Sequence, residues 1–313
     1  MSTGREINVR SSLSIIGLPD SQNPYWIPRS RKLHHHTRLT AQNNLLVEIA
    51  NTLRRVCGYR FPRLGHRAMD VFFSLMPGKF EALLFPGIWA VLNKSDLTQK
   101  STYWQGPRFE FPTAQILRSW ITSDTTHFFD IGSNYGFFSY WMLSQQHTLT
   151  VHSFEPNPAT FSIVEGIKLR NNLGRLHPWN MGLGDVAAKL SLHPGTEDSG
   201  HSTFGNHPEL DTLPIADIRV LPFTEWLTEA GISIPDRPSW IAKIDVEGFE
   251  LKVLTGMEAA LRAKAFQGIV IEVNEFTLSF CNTKPQEIFD LLASCGYRQI
   301  QADNSGNAFF VPA

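Results

Sequence analysis

The sequence predicts an α/β protein with a doubly wound sheet, an N-terminal helical extension and a C-terminal antiparallel hairpin. Short apolar runs alternate with segments of helical periodicity, which is the order that a parallel sheet with crossover helices requires. A loop containing Gly132 and Gly136 joins the first of these runs to the first helix, as in folds that bind ligands at strand ends. Near the C-terminus, two apolar runs flank the turn-forming stretch 304–307, which indicates a hairpin.

The chain divides into three parts. Residues 1–40 are rich in Ser, Pro, Asn and Arg, lack periodicity, and are predicted to form a flexible basic arm. Residues 41–100 are predicted to form a helical and hairpin extension, and residues 101–313 the main domain. Residues 1–70 contain 11 Lys and Arg against four Asp and Glu. This charge is consistent with an arm that contacts an acidic partner, a membrane surface or an anionic substrate, and also with a solvated extension.

The composition is that of a globular protein. A chain of 313 residues, of which 42% are hydrophobic, can bury one sizeable core and an extension. No apolar run is long enough to cross a bilayer, and the N-terminus lacks the pattern of a secretory signal. Cys57, Cys281 and Cys295 are odd in number and lack metal or redox spacing. We therefore expect a cytoplasmic protein without a transmembrane segment.

The extension is predicted to begin with two helices over residues 43–73, broken near Gly58 and Pro62. Residues 80–92 are predicted to form two short strands around a Pro-Gly turn. A helix is then indicated by Ile116, Leu117, Trp120 and Ile121.

The five strands of the doubly wound sheet are placed near residues 127–131, 149–154, 176–181, 240–245 and 268–273. Helices are expected from 136 to 144, after Pro156, after the fourth strand and near Pro285. Asn157 or Pro158 can begin the second of these helices, because Pro suits the first turn of a helix. The closing hairpin uses residues 296–300 and 308–311. Residues 189–221 interrupt the alternation with Gly, Ser, His and Pro, and we expect an irregular insertion that shapes the substrate pocket.

The Gly loop and the acid that ends the second strand indicate an adenosine-containing ligand. Gly132 lets the backbone approach a ligand closely, and Glu155 is placed to bind two ribose hydroxyls. The spacing is D-x-G-x-x-x-G, with Asn134 where a dinucleotide loop would carry another glycine. Asp130, just before the loop, would repel a pyrophosphate and attract an ammonium group. S-adenosylmethionine has an ammonium, a sulfonium and a ribose but no phosphate, so it matches this pattern better.

The carboxyl ends of parallel strands border one crevice, so the predicted cofactor contacts come from the loops after the first three strands. These contacts are Asp130, Gly132, Ser133, Asn134, Gly136, Glu155, Pro156, Asn157, Asn180, Met181 and Gly182. Ser133 and Asn134 are expected to bind the cofactor's carboxylate through backbone N–H groups. A structural role is equally consistent for Asp130, by bonding loop amides, and for Asn180, by holding its turn.

Four motifs together resemble the FkbM family of S-adenosylmethionine-dependent methyltransferases, over roughly residues 101–312. The motifs are DIGSNYGFFS at 130–139, FEPNP at 154–158, KIDVEGFELKVLTG at 243–256 and IVIEVN at 269–274. The resemblance implies a Rossmann-like class I methyltransferase fold and methyl transfer as the activity. The chain departs from the family before the fourth strand, where Glu225 replaces the acid of a Thr-Leu-Asp turn.

Acidic residues after the fourth and fifth strands are the predicted catalytic groups. The candidates for a base that deprotonates an acceptor hydroxyl are Asp245, Glu247, Glu272 and His201. Asp245 and Glu247 share a side of an extended strand end, and Lys243 falls on that side, where an ion pair is the simplest expectation. An alternative role for Glu247 is to favour the N-terminus of the next helix. The acids offer oxygen ligands for magnesium or calcium, but their spacing is not diagnostic, and we expect no metal site.

The predicted function is O-methylation of a hydroxyl on a sugar, a natural product or another small molecule. Two alternatives stay open: an NAD(P)-dependent oxidoreductase and a non-catalytic adaptor that keeps the fold. The acid before Gly132 and the missing third glycine argue against the first alternative, and the intact loop and strand-end acids argue against the second. We expect a small-molecule or glycan acceptor and no nucleic acid partner, and a homodimer is compatible with the sequence.

Overall fold

A computed structural model describes residues 73–74, 76–85, 87–105, 109–193, 202–205, 216–302 and 306–313. The predicted basic arm, the predicted helices over residues 43–72 and the candidate base His201 lie outside these residues.

The described residues form twelve strands, numbered here in chain order. They are β1 (Lys79–Phe85), β2 (Ile88–Asn93), β3 (His127–Ile131), β4 (Thr150–Phe154), β5 (Leu176–Trp179), β6 (Gly182–Gly184), β7 (Ala188–Leu192), β8 (Ala216–Pro222), β9 (Trp240–Ile244), β10 (Phe266–Glu272), β11 (Tyr297–Ala302) and β12 (Asn307–Pro312).

Nine helices connect or precede these strands within the same described ranges. They are α1 (Leu97–Gln105), α2 (Phe111–Ser119), α3 (Phe137–Gln145), α4 (Pro158–Arg170), α5 (Phe223–Ala230), α6 (Glu250–Gly256), α7 (Glu258–Arg262), α8 (Glu275–Ser279) and α9 (Pro285–Ser294).

The main sheet has seven strands in the order β11-β12-β10-β9-β3-β4-β5. Strands β5, β4, β3, β9 and β10 pair in parallel, whereas β12 is antiparallel to both β10 and β11. The chain starts in the centre at β3, runs outward to β5 and returns through β9 to the other edge. This is the doubly wound sheet with a C-terminal antiparallel hairpin that the sequence predicts, so the fold class is confirmed.

The segment around residues 189–221 is more regular than predicted. Strands β6, β7 and β8 form a separate three-stranded sheet in the order β6-β8-β7, so the prediction of an irregular insertion is wrong at both of its ends. The third predicted strand also ends early, at Trp179 rather than residue 181, because the chain then enters β6. Two helices, α1 and α8, were not predicted, and the helix containing Ile116 ends before Trp120.

Aromatic side chains fill the space between the sheet and the helices on one face. Trp226 on α5 packs edge-on against Phe129 and Phe154, with ring centroids 5.9 and 4.8 Å apart. Trp240 packs against Phe129 at 5.1 Å, and all these side chains are fully buried. Strand β9 is buried along its whole length, as expected for a central parallel strand with both faces covered. Burial of this apolar area is the main term that stabilises the fold.

The β1–β2 hairpin confirms the two predicted strands around the Pro-Gly turn. It is joined to α4 by polar contacts. The side chain of Asn171 accepts a hydrogen bond from the Trp89 amide at 2.8 Å and donates one to the Trp89 carbonyl at 2.7 Å. Arg170 forms an ion pair with Glu81 at 2.5 Å. The hairpin is therefore held against the end of α4 through hairpin backbone groups as well as through side chains.

A glycine on β10 should be essential for the packing of the sheet against Trp120. A Cβ atom added to Gly268 would lie 2.1 Å from the Trp120 ring, whereas one added to Gly166, inside α4, meets nothing within 4 Å. Overpacking of this kind costs about 1–3 kcal/mol, and a helical Gly→Ala change gains about 0.5–1 kcal/mol. We expect Gly268→Ala to lower, and the control Gly166→Ala to raise, the free energy of unfolding measured with denaturant. Equal stabilities would contradict the packing described here.

Candidate functional site

Two adjoining cavities lie at the carboxyl ends of the parallel strands. The larger has a volume of about 320 Å³ and the smaller about 120 Å³. The larger volume lies within the range of small-molecule sites. Six residues border both cavities: Thr98, Glu110, Gly132, Asn134, Asp245 and Glu272. The loops after β3, β9 and β10 thus enclose one continuous site.

The loop after β3 contains three residues with left-handed backbone, Gly132, Asn134 and Gly136. Gly132 has a φ of 79°, and a Cβ atom there would lie 1.7 Å from the carbonyl oxygen of Asp245. Asn134 has a φ of 49° and lines both cavities. Glycine is therefore required at position 132 by the closeness of the loop after β9, as well as by the approach of a ligand. Gly136 does not border either cavity but begins α3, with a φ of 88° and the Tyr140 ring against it.

Asp130 is the penultimate residue of β3, and its side chain is almost fully buried. One carboxylate oxygen accepts a hydrogen bond from the hydroxyl of Ser139 at 2.6 Å, so Asp130 bonds α3 rather than the loop amides that the sequence suggested. Its Oδ1 atom has no hydrogen-bond partner among the described residues. Burial raises the pKa of Asp130, against the effect of the nearby Lys243 ammonium. Asp130 is one of the residues that line the smaller cavity, and a cationic group there would favour its ionised form.

Glu155, predicted to bind a ribose, lines the larger cavity after β4. Its Oε1 accepts a hydrogen bond from the Asn157 amide at 2.8 Å, and the carboxylate also bonds the Asn134 amide. Burial raises the pKa of Glu155 to about 8 despite these hydrogen bonds. A carboxylate accepts about four hydrogen bonds, so Glu155 can join two loops and still contact a ligand.

The other predicted cofactor residues divide into two groups. Pro156, Met181 and Gly182 line the larger cavity, and Ser133 lines the smaller one, where its hydroxyl accepts a hydrogen bond from Ser153 at 2.7 Å. Asn157 and Asn180 do not border either cavity. Asn157 caps α4 by accepting from the Ala159 amide at 3.0 Å. Asn180 donates to the carbonyls of Glu155 and Pro156, which is the turn-holding role considered for it.

The predicted ion pair at the end of β9 is confirmed. Lys243 donates to Asp245 at 2.6 Å, and its side chain is almost fully buried. Burial by itself would lower the pKa of Lys243, but the charges of Asp245 and Asp130 raise it overall, so this lysine stays charged. Glu272 lies on the other side of Asp245. The charge of Asp245 raises the pKa of Glu272, and burial raises it further. Asp245 therefore lies between an ammonium group and a carboxyl group that holds its proton.

Glu247 lies in the loop after β9 with a φ of 51°, a strained conformation for a residue other than glycine. Its carbonyl accepts a hydrogen bond from the hydroxyl of Thr203 at 2.8 Å. Helix α6 begins only at Glu250, so the suggestion that Glu247 favours the helix N-terminus is wrong, and the acid in that first turn is Glu250.

Asp245, Glu247 and Glu272 each offer an oxygen within 4.8 Å of the others. Oxygen ligands at this separation suit a hard cation such as magnesium. The same closeness also favours retention of a proton, as the raised pKa of Glu272 shows.

Several cavity residues were missed by sequence reasoning. Thr98 and Glu110 come from the extension and the chain before α2, while Leu183, Ser202 and Phe204 come from the second sheet and the insertion. No local pattern marks these residues, because long-range packing brings them to the strand ends. Glu225, the substitute for the family's acid, is exposed in the first turn of α5 and borders neither cavity.

The residues fit S-adenosylmethionine. The lining includes both carboxylates and apolar side chains such as Met181, Leu183 and Phe249, which suits a cationic amino acid and sulfonium joined to an adenosine. The unpartnered Asp130 oxygen provides an acceptor for an ammonium group. Among the lining residues that the structure describes, Lys243 is the one basic side chain.

The buried acids predict a pH-dependent stability for the ligand-free protein. In the unfolded chain Glu155 ionises near its ordinary pKa of 4.5, whereas in the folded protein its pKa is about 8, and that of Glu272 is raised as well. The folded state therefore holds more protons than the unfolded state above about pH 5, and the free energy of unfolding falls as the pH rises. Glu272→Gln, which cannot ionise, should make this fall less steep in denaturant titrations between about pH 5.5 and pH 8.5. The control Glu165→Gln, at an exposed position of α4, should leave the slope unchanged, and an unchanged slope in Glu272→Gln would contradict the assigned protonation.

Within the described residues, no helix has both the length and the apolar character needed to span a membrane.

The chain is similar in sequence to known methyltransferases. Hexuronic acid methyltransferase AglP of Haloferax volcanii is 30% identical over 168 residues, which cover 52% of this chain and 60% of that protein. Methyltransferase 1 of Beauveria bassiana is 28% identical over 148 residues, covering 43% of this chain and 59% of that protein. The chain thus spans about three fifths of the length of these two relatives.

Solved structures of methyltransferases are also similar. A precorrin-6y C5,15-methyltransferase from Geobacter metallireducens matches with a TM-score of 0.38 and 12% identity, over 64% of this chain and 86% of that chain. A SAM-dependent methyltransferase from Agrobacterium tumefaciens matches with a TM-score of 0.39 and 10% identity, over 76% of this chain and 72% of that chain.

The family model of the methyltransferase FkbM domain matches residues 130–299. This range is more than half of the chain and contains the Gly loop, Glu155, the β9 acids and Glu272. The chain therefore belongs to the FkbM family of S-adenosylmethionine-dependent methyltransferases.

Proposed function

We propose that this protein transfers a methyl group from S-adenosylmethionine to a hydroxyl group of a sugar or another small molecule. The observation that carries the proposal is the continuity of the site. The loop of Gly132 and Asn134, with Glu155 behind it, opens into the same cavity as Asp245, Glu247 and Glu272. Groups suited to a cofactor and groups suited to proton removal therefore face one another across one space.

Glu155 would hold the ribose and the Gly132–Asn134 backbone the amino acid part of the cofactor, with Asp130 as an acceptor for its ammonium group. When bound, S-adenosylmethionine supplies an electrophilic methyl group on a sulfonium. The chain contributes by holding the acceptor in line with that group, and such orientation supplies up to about 7–11 kcal/mol in favourable systems. Gly136, Asn157 and Asn180 support the same loops from outside the cavities.

The charge of the site supports a hydroxyl acceptor. Lys243 is already paired with Asp245, so no described basic side chain is left to bind an acceptor carboxylate. Glu110 and Glu247 would repel such a group, whereas a sugar hydroxyl can donate hydrogen bonds to them. AglP is named for a hexuronic acid, which supports a sugar acceptor. On charge grounds, we propose that the group methylated by this protein is a hydroxyl rather than a carboxylate.

Glu247 is the proposed base among the three clustered acids. Glu272 holds its proton, and Asp245 is occupied by Lys243 on one side and Glu272 on the other. Glu247 borders the larger cavity, in which the acceptor would lie. His201 stays a candidate for acceptor contact.

We propose further that no metal is essential, that no nucleic acid is bound and that the protein is cytoplasmic, and a homodimer stays a prediction.

Loss of Glu155 should weaken cofactor binding. Glu155→Ala removes the ribose acceptor and frees the amides of Asn134 and Asn157. A hydrogen bond contributes about 0.5–1.5 kcal/mol net, and the two bonds to the ribose hydroxyls are lost, so we expect a Kd for S-adenosylmethionine raised by about 5- to 150-fold in calorimetry. Glu155→Gln keeps an accepting oxygen and should lose less. Unchanged affinity in a folded Glu155→Ala protein, or tighter binding of NADH than of S-adenosylmethionine by the wild type, would exclude the assigned pocket.

Loss of the carboxylate at Glu247 should slow turnover more than the same change at Glu272. Glu247→Gln removes the base, which contributes about 10²-fold or more, while Glu272→Gln replaces a group that is already neutral and should cost less than about 10-fold. Turnover is measured as transfer of labelled methyl groups to acceptors in a small-molecule extract. EDTA should have no effect in the same assay. If Asp245→Asn and both glutamine variants keep the wild-type rate, the acids are structural and the site works by proximity alone.

A further inference from the structure

The loop between β9 and α6 holds two consecutive residues with left-handed backbone. Glu247 has a φ of 51° and Gly248 one of 103°. Glycine adopts such angles freely, whereas a glutamate adopts them only under strain. A strained residue persists only where its surroundings hold it in place. The groups that hold Glu247 are therefore part of the design of the site.

Glu250 provides two of the hydrogen bonds that fix this loop. Its Oε1 atom accepts from the Val246 amide at 3.1 Å and from the Gly248 amide at 3.2 Å. These two amides flank Glu247 on either side, so one oxygen fixes the backbone before and after the strained residue. The Glu250 side chain is 1% exposed and borders neither cavity.

Two further contacts hold the loop from other directions. The Thr203 hydroxyl donates to the Glu247 carbonyl at 2.8 Å. A Cβ atom at Gly248 would lie 2.2 Å from the carbonyl oxygen of Thr277, so the loop packs closely against α8. Glu247, which lines the larger cavity, is thus held through its neighbours' amides and its own carbonyl.

Burial of Glu250 is unfavourable by itself. Its second oxygen, Oε2, has no hydrogen-bond partner among the described residues, and burial raises the pKa of the group to about 7. A carboxyl group buried with one oxygen unpartnered destabilises a fold relative to an apolar side chain of the same size. The two amide contacts offset this cost and set the geometry of the loop.

We propose that Glu250 is a positioning residue, which sets the orientation of Glu247 and Val246 toward the cofactor and acceptor by accepting both loop amides. The inference rests on the proposed function, because Glu247 is the base there. Val246 and Glu247 line the larger cavity together with the loop of Gly132. Displacement of the 246–248 backbone therefore changes the walls of the cofactor cavity as well as the placement of the base.

The test compares three substitutions in the full chain by calorimetry with S-adenosylhomocysteine. Glu250→Leu keeps the volume but removes the acceptor, and we expect a Kd raised by about 10-fold or more. Glu250→Gln keeps the accepting oxygen, and its Kd should stay within about 3-fold of the wild type. Glu250→Asp keeps the charge but shortens the side chain, so one oxygen no longer reaches both amides, and we expect an intermediate loss. Thermal unfolding shows whether each variant is folded.

A role in stability alone would lower the melting temperature without this ranking of affinities. The proposal is overturned if Glu250→Leu or, where that variant does not fold, Glu250→Asp binds S-adenosylhomocysteine as tightly as the wild type. It is also overturned if Glu250→Gln is as impaired as Glu250→Leu, since charge rather than hydrogen-bond acceptance would then matter. A wild-type protein that binds neither S-adenosylmethionine nor S-adenosylhomocysteine would instead refute the proposed function.

Discussion

The loops after β3 and β9 meet backbone to backbone, and the site depends on this contact. The Asp245 carbonyl lies so close to Gly132 that no side chain fits at that position. The amide of Asp245 in turn donates a hydrogen bond to the Ile131 carbonyl at 2.9 Å. Because the two strands are parallel neighbours in the centre of the sheet, their following loops must share one edge. Because the two backbones also approach each other closely, the residues predicted to bind the cofactor and the acids border the same cavity.

Electrostatics at this edge is governed by an excess of carboxyl groups over basic groups. Asp130, Lys243, Asp245 and Glu272 follow one another on adjacent strands, and the buried lysine compensates part of their charge. Burial raises the pKa of Asp130, and the charge of Asp245 followed by burial raises that of Glu272, so protons retained by these acids compensate more. A cationic ligand would take over this compensation, so the acids that destabilise the empty site favour a positively charged cofactor.

Local patterns predicted the central part of this arrangement. The Gly loop, Glu155 and the Lys243–Asp245 pair follow from strand periodicity and the rule that ligands bind beyond strand ends. Glu110 and Phe204 could not be predicted, because only tertiary packing brings them to the cavity. Strands β7 and β8 were missed because Gly, Pro and Ser obscure a pairing that joins distant residues. The protonation of Glu272 likewise depends on a neighbour 27 positions away in the chain, which no local window contains.

The short segment 202–205 touches both halves of the site. Ser202 accepts a hydrogen bond from Asn157, which caps the helix behind Glu155, at 3.3 Å, and Thr203 bonds the Glu247 carbonyl at 2.8 Å. A ligand that moves this segment from either side would change the free energy of binding on the other. By thermodynamic linkage the effect is reciprocal, so acceptor and cofactor would alter each other's affinity by the same factor. Segment 202–205 would thereby couple the free energies of acceptor and cofactor binding in addition to any effect of the contact between the two ligands.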